Sequence, residues 1–201
     1  MPNPQSLALF DFDHTVTTTD TYSGFLRRVA TPAQQATARW TVGPWLAGYR
    51  LGLVSAAALR TRVTRLVFAG RDADDIARQA EHYAQEALPL LLRPDMMQRI
   101  AWHQAQGHAV AVVSGSLDLY LRPWCTQHGL HVICNRLDVQ DGRLTGRYRH
   151  GDCGPRKAGA DPHALRPRRP ISASMPTADS REDRPMLALA HERWYRGRRI
   201  A

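Results

Sequence analysis

ALFDFDHTVTTTD, residues 8–20, places two acids one residue apart directly after a run of apolar residues. We interpret the apolar run as a short strand that is buried on both faces of a parallel sheet. Two like charges at the end of a buried strand repel each other and lose hydration, unless a cation or a reaction uses them. The segment therefore predicts a functional site just beyond the first strand.

Strand-like and helix-like segments alternate after Pro94. The pattern predicts helices over 95–108 and 117–129, strands over 109–116 and 131–139, a hairpin at 141–148, a strand within 169–175 and a helix over 183–192. The hairpin prediction depends on the Asp-Gly pair that begins it. Strands that alternate with helices indicate an α/β fold with a Rossmann-like, doubly wound parallel sheet.

The segment between the first two strands has a different pattern. Over residues 22–92 apolar residues recur at spacings of three and four, which is typical of amphipathic helices, and Asp72 or Asp74 is suited to cap one of them. We therefore expect an α/β core formed by residues 1–19 and 94–201. A helical cap, residues 20–93, is inserted after the first strand.

The charge of the chain favours anionic partners. The 201 residues include 27 Lys and Arg but only 18 Asp and Glu, which gives a net charge of +9. Such a balance attracts phosphorylated metabolites, nucleic acid or an acidic membrane surface. Much of the excess lies at 165–170 and 193–200, segments that we interpret as solvated surface, and no nucleic-acid motif accompanies it.

The cysteines and the apolar segments indicate where in the cell the protein is expected to work. Cys125, Cys134 and Cys153 form no CxxC pair, which favours reduced thiols and a cytoplasmic protein. The N-terminus lacks the basic region and the long apolar run of a signal peptide.

Ten uncharged residues separate Arg39 from Arg50, about half of the ~20 that span a bilayer. A buried helix pair is favoured there, and peripheral contact with the inner membrane face stays open.

Polar residues follow several of the predicted strands. The first strand ends on Asp11 and Asp13, the second on Ser114-Gly115-Ser116, and the fourth is followed by Asp179 and Asp183, while Lys157 lies between the third and fourth. Ligands of doubly wound sheets bind beyond the carboxyl ends of the strands. A serine hydroxyl and backbone N–H groups before a helix suit a phosphate oxygen. A divalent cation held by Asp11 and Asp179 would relieve the repulsion between the acids.

This ordered set resembles the haloacid dehalogenase-like superfamily of phosphotransferases. The matching motifs are DFDHT (Asp11, Asp13, Thr15), VVSGS (Ser114), Lys157 and ADSRED (Asp179, Asp183). The helical insertion is similar to the cap of the phosphoserine phosphatase-like branch, subfamily IB. Within it, DRPMLALAHERWYRG (183–197) is similar to bacterial hydrolases, some of which resemble phosphatidylglycerophosphatase C.

The resemblance implies a Mg²⁺-dependent phosphomonoesterase and a role for each matching residue. Asp11 would attack phosphorus and form an aspartyl-phosphate, and Asp13 would act as general acid and then general base. Ser114, the Gly115 N–H and Lys157 would bind the phosphate. Thr15 would order the loop around Asp13. The implied Mg²⁺ ligands are the Asp11 carboxylate, the Asp13 carbonyl and Asp179, with Asp183 bonding to the metal's waters or positioning Lys157.

Besides a phosphoryl transferase to an acceptor other than water, which would use the same catalytic residues, two alternatives stay open at this level. Ala178 stands where the family usually has Gly, and the Pro- and Gly-rich segment after Lys157 opposes the family's helix, so a catalytically weakened member is one alternative. A basic protein that binds anions, nucleic acid or membranes is the other. For the enzyme, the substrate is a small phosphorylated metabolite such as phosphoserine, or a phospholipid headgroup at a membrane surface. No specific nucleic acid is expected, and the oligomeric state is left open.

Overall fold

The computed structural model describes residues 7–153, 173–178, 192–195 and 198–200. Its main sheet joins β1 (Leu7–Phe10), β2 (Ala109–Leu117), β3 (His131–Asn135), β6 (Ala173–Ala178), β7 (Glu192–Tyr195) and β8 (Arg198–Ile200). The spatial order is β3-β2-β1-β6-β7-β8, and the neighbours are parallel except for the antiparallel pair β7–β8. The chain winds outward from β1 in both directions, which confirms the predicted doubly wound α/β fold.

The centre of the sheet is apolar because its strands are covered on both faces. Leu7 lies opposite Ala109 and Phe10 opposite Val112, and Phe10 and Val112 are fully buried. On the other side of β1, Leu7 lies opposite Ala173 of β6. The carboxyl ends of β1, β2 and β6 consequently meet at one edge of the sheet, as the sequence predicts.

The segment expected to form one strand over 131–139 is divided between two sheets. β3 stays in the main sheet, whereas β4 (Leu137–Gln140) pairs with β5 (Arg143–Tyr148) in a separate antiparallel hairpin. Asp141 and Gly142 make the turn with φ of 49° and 73°, the left-handed conformation that tight hairpins require. The predicted hairpin is confirmed.

Two predictions near the C-terminus differ from the structure. β6 begins later than expected and contains Pro176, which has no N–H to donate. The register against β7 shifts between Ser174 and Thr177, which accommodates the missing donor. Glu192, predicted to end a helix, instead begins β7, and the rest of that predicted helix lies outside the described residues.

Helices fill the segment between β1 and β2. They are α1 (Thr21–Val29), α2 (Pro32–Thr41), α3 (Gly43–Arg50), α4 (Ala56–Phe68), α5 (Ala73–Glu86), α6 (Leu88–Leu91) and α7 (Pro94–Ala105), and α8 (Asp118–Gln127) follows β2. Side-chain caps begin four of them, at Asp20, Thr31, Ser55 and Asp72, as expected for Asp72. No helix among the described residues has the length and apolar character needed to cross a bilayer.

The inserted helices share one hydrophobic cluster with the sheet. Phe25 of α1 packs on Phe68 of α4, on Tyr83 of α5 and on Tyr120 of α8, with ring centroids 6.3, 5.4 and 5.1 Å away. Aromatic contacts of this kind join α1, α4 and α5 to the helix that follows β2. The boundaries of the cap at residues 20 and 93 remain a prediction.

Candidate active site

A wide turn over residues 12–16 follows β1 and carries the second acid. The backbone N–H and hydroxyl of Thr17 both donate to the carbonyl of Phe12, at 3.0 and 3.1 Å. Phe12 and Val16 are fully buried and anchor the turn, while His14 is exposed with φ of 60°. The turn leaves Asp11 buried at the strand end, with 3% of its surface exposed.

The carboxylate of Asp13 accepts four hydrogen bonds. Its Oδ1 accepts from the N–H and the hydroxyl of Thr21, at 2.7 and 2.5 Å. Its Oδ2 accepts from the hydroxyls of Ser116 and Ser114, at 2.6 and 3.1 Å. The first turn of α1 and the end of β2 thus hold one carboxylate between them, and hydrogen bonds to a charged acceptor are among the stronger ones.

Ser114 and Ser116 reach Asp13 together because they lie two residues apart on one strand. Alternation along β2 turns both side chains to the same face. The N–H of Ser116 also donates to the Ser114 hydroxyl at 3.0 Å, which fixes the strand end. Both hydroxyls are fully buried. The phosphate-binding role assigned to Ser114 stays a prediction, since its hydroxyl is engaged with Asp13 in this structure.

Two tyrosines surround Thr21 and support it. The Tyr83 hydroxyl donates to the Thr21 carbonyl at 3.1 Å, and the Tyr120 hydroxyl lies 3.3 Å from the Thr21 hydroxyl. Burial, and after it the charge of Asp13, raises the pKa of Tyr120 well above its ordinary value. Burial and the same charge raise the pKa of Tyr83 to about 12. Both phenols stay neutral at physiological pH and remain hydrogen-bond donors beside Asp13.

Thr15 lies behind the acids rather than in the open site. Its side chain is 2% exposed, and within the described part of the chain its hydroxyl has no hydrogen-bond partner. Buried polar groups are normally satisfied. The place of Thr15 next to Asp13 is compatible with the loop-ordering role that was expected for it, which remains a prediction.

An arginine from α4 lies over the end of β2. The guanidinium carbon of Arg60 would be 3.6 Å from a side-chain carbon placed on Gly115, so the two are in close contact. Arg60 Nε donates to Asp152 at 2.9 Å, and Asn135 of β3 donates to Asp152 at 3.2 Å and to the Gly115 carbonyl at 2.8 Å. This network places a positive charge from the inserted helices at the edge of the site.

These groups lie at the base of a cleft of about 1120 Å³. Of the predicted site residues, Asp11, Asp13 and Gly115 line it, whereas Thr15 and Ser114 do not. The walls combine cationic and aliphatic side chains from the inserted helices: Arg50, Arg60, Leu26, Val42, Leu46, Val54, Leu59 and Val63. The cleft can therefore take an anionic group at its base and an apolar group along its walls.

The aromatic residues of the inserted helices divide between core and cleft. Phe25 is fully buried in the core. Tyr22 and Tyr49 line the cleft, and the Tyr22 hydroxyl lies 2.7 Å from that of Thr64. Trp40 belongs to neither group, since it is 85% exposed.

Three predicted site residues, Lys157, Asp179 and Asp183, lie outside the described residues. Within the described ranges no group of three His, Cys, Asp or Glu side chains is placed to hold a metal. The oxygen donors that are described, a buried carboxylate at Asp11 and the neighbouring Asp13, are of the kind that Mg²⁺ prefers. β6 runs parallel beside β1 and ends at Ala178, the residue before Asp179 in sequence. The described donors fit a magnesium ion in chemistry, and the strand order brings the residue before Asp179 to the strand beside β1.

Sequence reasoning missed several residues of this arrangement. Ser116 could have been found, because it stands two residues after Ser114 on a predicted strand. Thr21 follows a recognisable cap residue but gives no sign of bonding to Asp13. Arg60 and Asp152 are 92 residues apart, and no local pattern connects them.

Several known proteins are similar to this chain in sequence or in structure. The model of a family described as haloacid dehalogenase-like hydrolase matches residues 8–188. Protein CicA of Caulobacter vibrioides is 29% identical over 205 residues, which cover 94% of this chain and 85% of that protein. A protein of unknown function from Bordetella pertussis has a similar structure, with a TM-score of 0.73, 21% identity, and coverage of 95% of this chain and 89% of that one. A substrate-bound phosphoserine phosphatase gives a TM-score of 0.66 at 19% identity, over 96% of this chain and 86% of that one. The last two likenesses show a shared fold.

Proposed function

The chain belongs to the haloacid dehalogenase-like hydrolases, and we propose that it is a phosphatase that hydrolyses phosphomonoesters through a phosphoryl group carried on Asp11. One observation carries the proposal. Two carboxylates from the end of β1 line the base of a cleft, and one of them is held by four donors. A buried acid and a firmly oriented second acid are what nucleophilic and acid–base catalysis need.

In the first step, a carboxylate oxygen of Asp11 attacks phosphorus and forms an acyl-phosphate bond. The bond from phosphorus to the substrate oxygen breaks, and its electron pair stays on that oxygen, which takes a proton from Asp13. In the second step Asp13 removes a proton from water while the water oxygen attacks phosphorus. Phosphate leaves, the Asp11 carboxylate is restored, and Asp13 is protonated again.

The partners of Asp13 indicate which of its oxygens carries the proton. Oδ1 faces the N–H of Thr21, which can only donate. Among the described residues, Oδ2 accepts only from the hydroxyls of Ser114 and Ser116, and a hydroxyl can turn from donor to acceptor. We assign the transferred proton to Oδ2, because both of its partners can follow the change of protonation state.

Mg²⁺ would be held by the Asp11 carboxylate, the Asp13 carbonyl and Asp179, with Asp183 contributing through water. When bound, it would neutralise negative charge that two carboxylates and a phosphoryl group bring together. Lys157 would add a positive charge at the phosphoryl group, beside the N–H of Gly115.

The side chains that line the cleft indicate which kind of substrate it can bind. Aliphatic side chains of the inserted helices, with Arg50 and Arg60, favour a phosphomonoester that also has an apolar or a second anionic part. A phospholipid headgroup and phosphoserine are the substrates to compare. A cytoplasmic enzyme that also works at the inner membrane face would encounter both.

The test is phosphate release from phosphoserine and from phosphatidic acid in vesicles, with Mg²⁺. We expect turnover that EDTA removes and that falls below detection in Asp11→Asn. A mass increase on the Asp11 peptide after acid quenching should accompany turnover. Asp72→Asn is the matched control, since Asp72 caps α5 away from the cleft and Asn caps equally well. Turnover that persists in Asp11→Asn would overturn the proposal, as would binding of these phosphomonoesters with no turnover at all.

A further inference from the structure

The inserted helices expose large apolar side chains at one end. We call residues 40–53, the end of α2, α3 and the loop after it, the α2–α3 tip. Trp40, Leu51 and Leu53 are 85%, 74% and 81% exposed, and Leu46 and Tyr49 are also exposed. Neither α2 nor α3 buries a residue fully. Apolar side chains gathered on a surface in this way indicate an interaction site.

The backbone holds the two leucines in this position. The N–H of Leu51 donates to the Ala47 carbonyl at 3.0 Å, and that of Leu53 to the Gly48 carbonyl at 2.8 Å. Gly52 between them has φ of 75°, which reverses the chain. The loop is therefore an ordered turn that projects both leucines outward before any partner is bound.

The charged residues of the segment that contains the α2–α3 tip all have one sign. Residues 21–71 contain eight Arg and no Lys, Asp or Glu. Arg39 and Arg50 are exposed at the two ends of the uncharged stretch, and Arg62 stacks 4.8 Å over the ring of Trp45. A partner of this surface must accept aliphatic side chains and at the same time be negatively charged.

We propose that the α2–α3 tip docks on a lipid bilayer that contains anionic headgroups. Tryptophan, tyrosine and leucine enter the boundary between headgroups and acyl chains, while flanking arginines meet the anionic headgroups. A second copy of the chain would bring Arg39, Arg50 and Arg62 against the same three arginines. Nucleic acid would satisfy the arginines and leave the exposed leucines in water.

The α2–α3 tip is continuous with the cleft. Leu46, Tyr49, Arg50 and Gly52 line the cleft and also belong to the tip. Docking would therefore place the mouth of the cleft at the bilayer surface. The docking does not depend on the chemistry, but its use for delivering a lipid phosphomonoester to Asp11 rests on the proposed function.

The experiment is flotation of the full chain with vesicles of phosphatidylcholine alone or with phosphatidylglycerol added. We expect binding to the anionic vesicles, and at least about tenfold weaker partitioning for the triple variant Trp40→Ala, Leu51→Ala, Leu53→Ala. Arg39→Gln should weaken binding about fivefold at low salt. The matched controls are Leu90→Ala, at a leucine 84% exposed on α6, and Arg78→Gln on α5, both of which should bind like the wild type.

The outcomes separate this proposal from the phosphatase proposal. Asp11→Asn should bind vesicles as the wild type does, whether or not the wild type shows turnover. A triple variant that keeps its circular dichroism spectrum and binds as tightly as the wild type would overturn the docking surface. Absence of vesicle binding together with a dimer, detected by sedimentation velocity and abolished by the triple substitution, would assign the tip to self-association and also overturn it.

Discussion

Asp13 is the residue on which separate parts of the chain converge. Thr21 comes from the first turn of α1, and Ser114 and Ser116 come from the end of β2, about a hundred residues later. A general acid–base must keep its direction in both protonation states, and side-chain partners that cannot move away supply that direction. The hydroxyl of Ser116, at 2.6 Å from Oδ2, makes the shorter of the two serine contacts.

Ser116→Ala should lower kcat more than it changes KM. The substitution removes a donor that orients Asp13, so we expect kcat to fall about 10- to 100-fold while KM changes less than about threefold. Loss of one buried hydrogen bond should also lower the free energy of unfolding by about 1 kcal/mol. Steady-state kinetics on the preferred substrate and urea unfolding give both values.

Thr61→Ala is the control for that substitution, because within the described part of the chain the Thr61 hydroxyl donates only to the Ala57 carbonyl, one turn earlier in its own helix. Its kinetics should match those of the wild type. A large rise of KM in Ser116→Ala with kcat unchanged would instead place Ser116 in substrate binding and contradict the positioning role.

For single residues, the sequence predicts those site positions that depend on where a strand ends and on the alternation of side chains along it. Asp11 and Asp13 line the cleft because they follow a strand that the apolar pattern reveals, and Gly115 lies near the end of another such strand. Thr21 and Arg60 could not be predicted, since their contacts depend on how the inserted helices return over the sheet. That path is set by packing among Phe25, Phe68 and Tyr120, far apart in the chain.

Among the elements, the hairpin β4–β5 packs closely on α4. Gly146 of β5 has φ of 72°, and a side-chain carbon placed there would lie 2.9 Å from the Ala69 side chain and 3.0 Å from the Arg65 backbone. The N–H of Gly70 donates to the Leu144 carbonyl at 2.8 Å, which joins the end of α4 to the same strand. This approach fixes the hairpin against the inserted helices.

Gly146→Ala should destabilise the protein more than Gly142→Ala does. Both glycines have positive φ, of 72° and 73°, but nothing lies within 4 Å of a side-chain carbon placed on Gly142. We expect a loss of about 1 kcal/mol for Gly142→Ala from backbone strain alone. Gly146→Ala should lose about 2–4 kcal/mol, because helix backbone must also move.

Urea unfolding of the two single variants measures this difference directly. Both lie in one hairpin and carry the same substitution, so effects on the unfolded chain cancel between them. Equal losses would mean that the hairpin moves away from α4 at no cost, and would contradict the close packing.

The elements that the sequence predicts well are those with a regular apolar period. β2, α7 and α8 lie within three residues of their expected bounds, and Asp72 caps α5. β7 and β8 were not predicted, because Arg193, Arg198 and Arg199 hide the apolar pattern of a strand. The break at Arg136 has no local signal either, since the residues on both sides favour strands.

Over the whole molecule, two further contacts join the inserted helices to the rest of the chain. One is the aromatic contact of Phe25 with Tyr120 in the shared core. The other is the ion pair of Arg60 with Asp152 at 2.9 Å, whose side chains are 19% and 7% exposed. Breaking a buried pair by removing one partner is costly, so Arg60 is held in place over Gly115. The cleft consequently has a defined shape before any substrate binds.

His103 makes the stability of the whole molecule depend on pH. It is 1% exposed beneath the sheet, in edge contact with Phe10 and with its Nδ1 2.9 Å from that of His108. Burial, and after it the charges of Arg99 and His108, lowers its pKa from 6.5 to about 4. Between these two values the unfolded chain binds a proton that the folded chain excludes, so the free energy of unfolding falls as the pH falls from about 6.5 to about 4.

His103→Gln should remove this part of the pH dependence. From pH 7 to pH 5 the wild type should lose about 2 kcal/mol more than the variant, as the lowered pKa requires. Urea unfolding at pH 7, 6 and 5 gives the slopes, and His131→Gln, at an exposed histidine on β3, should keep the wild-type slope. Identical slopes for the wild type and His103→Gln would mean that His103 takes up its proton without unfolding.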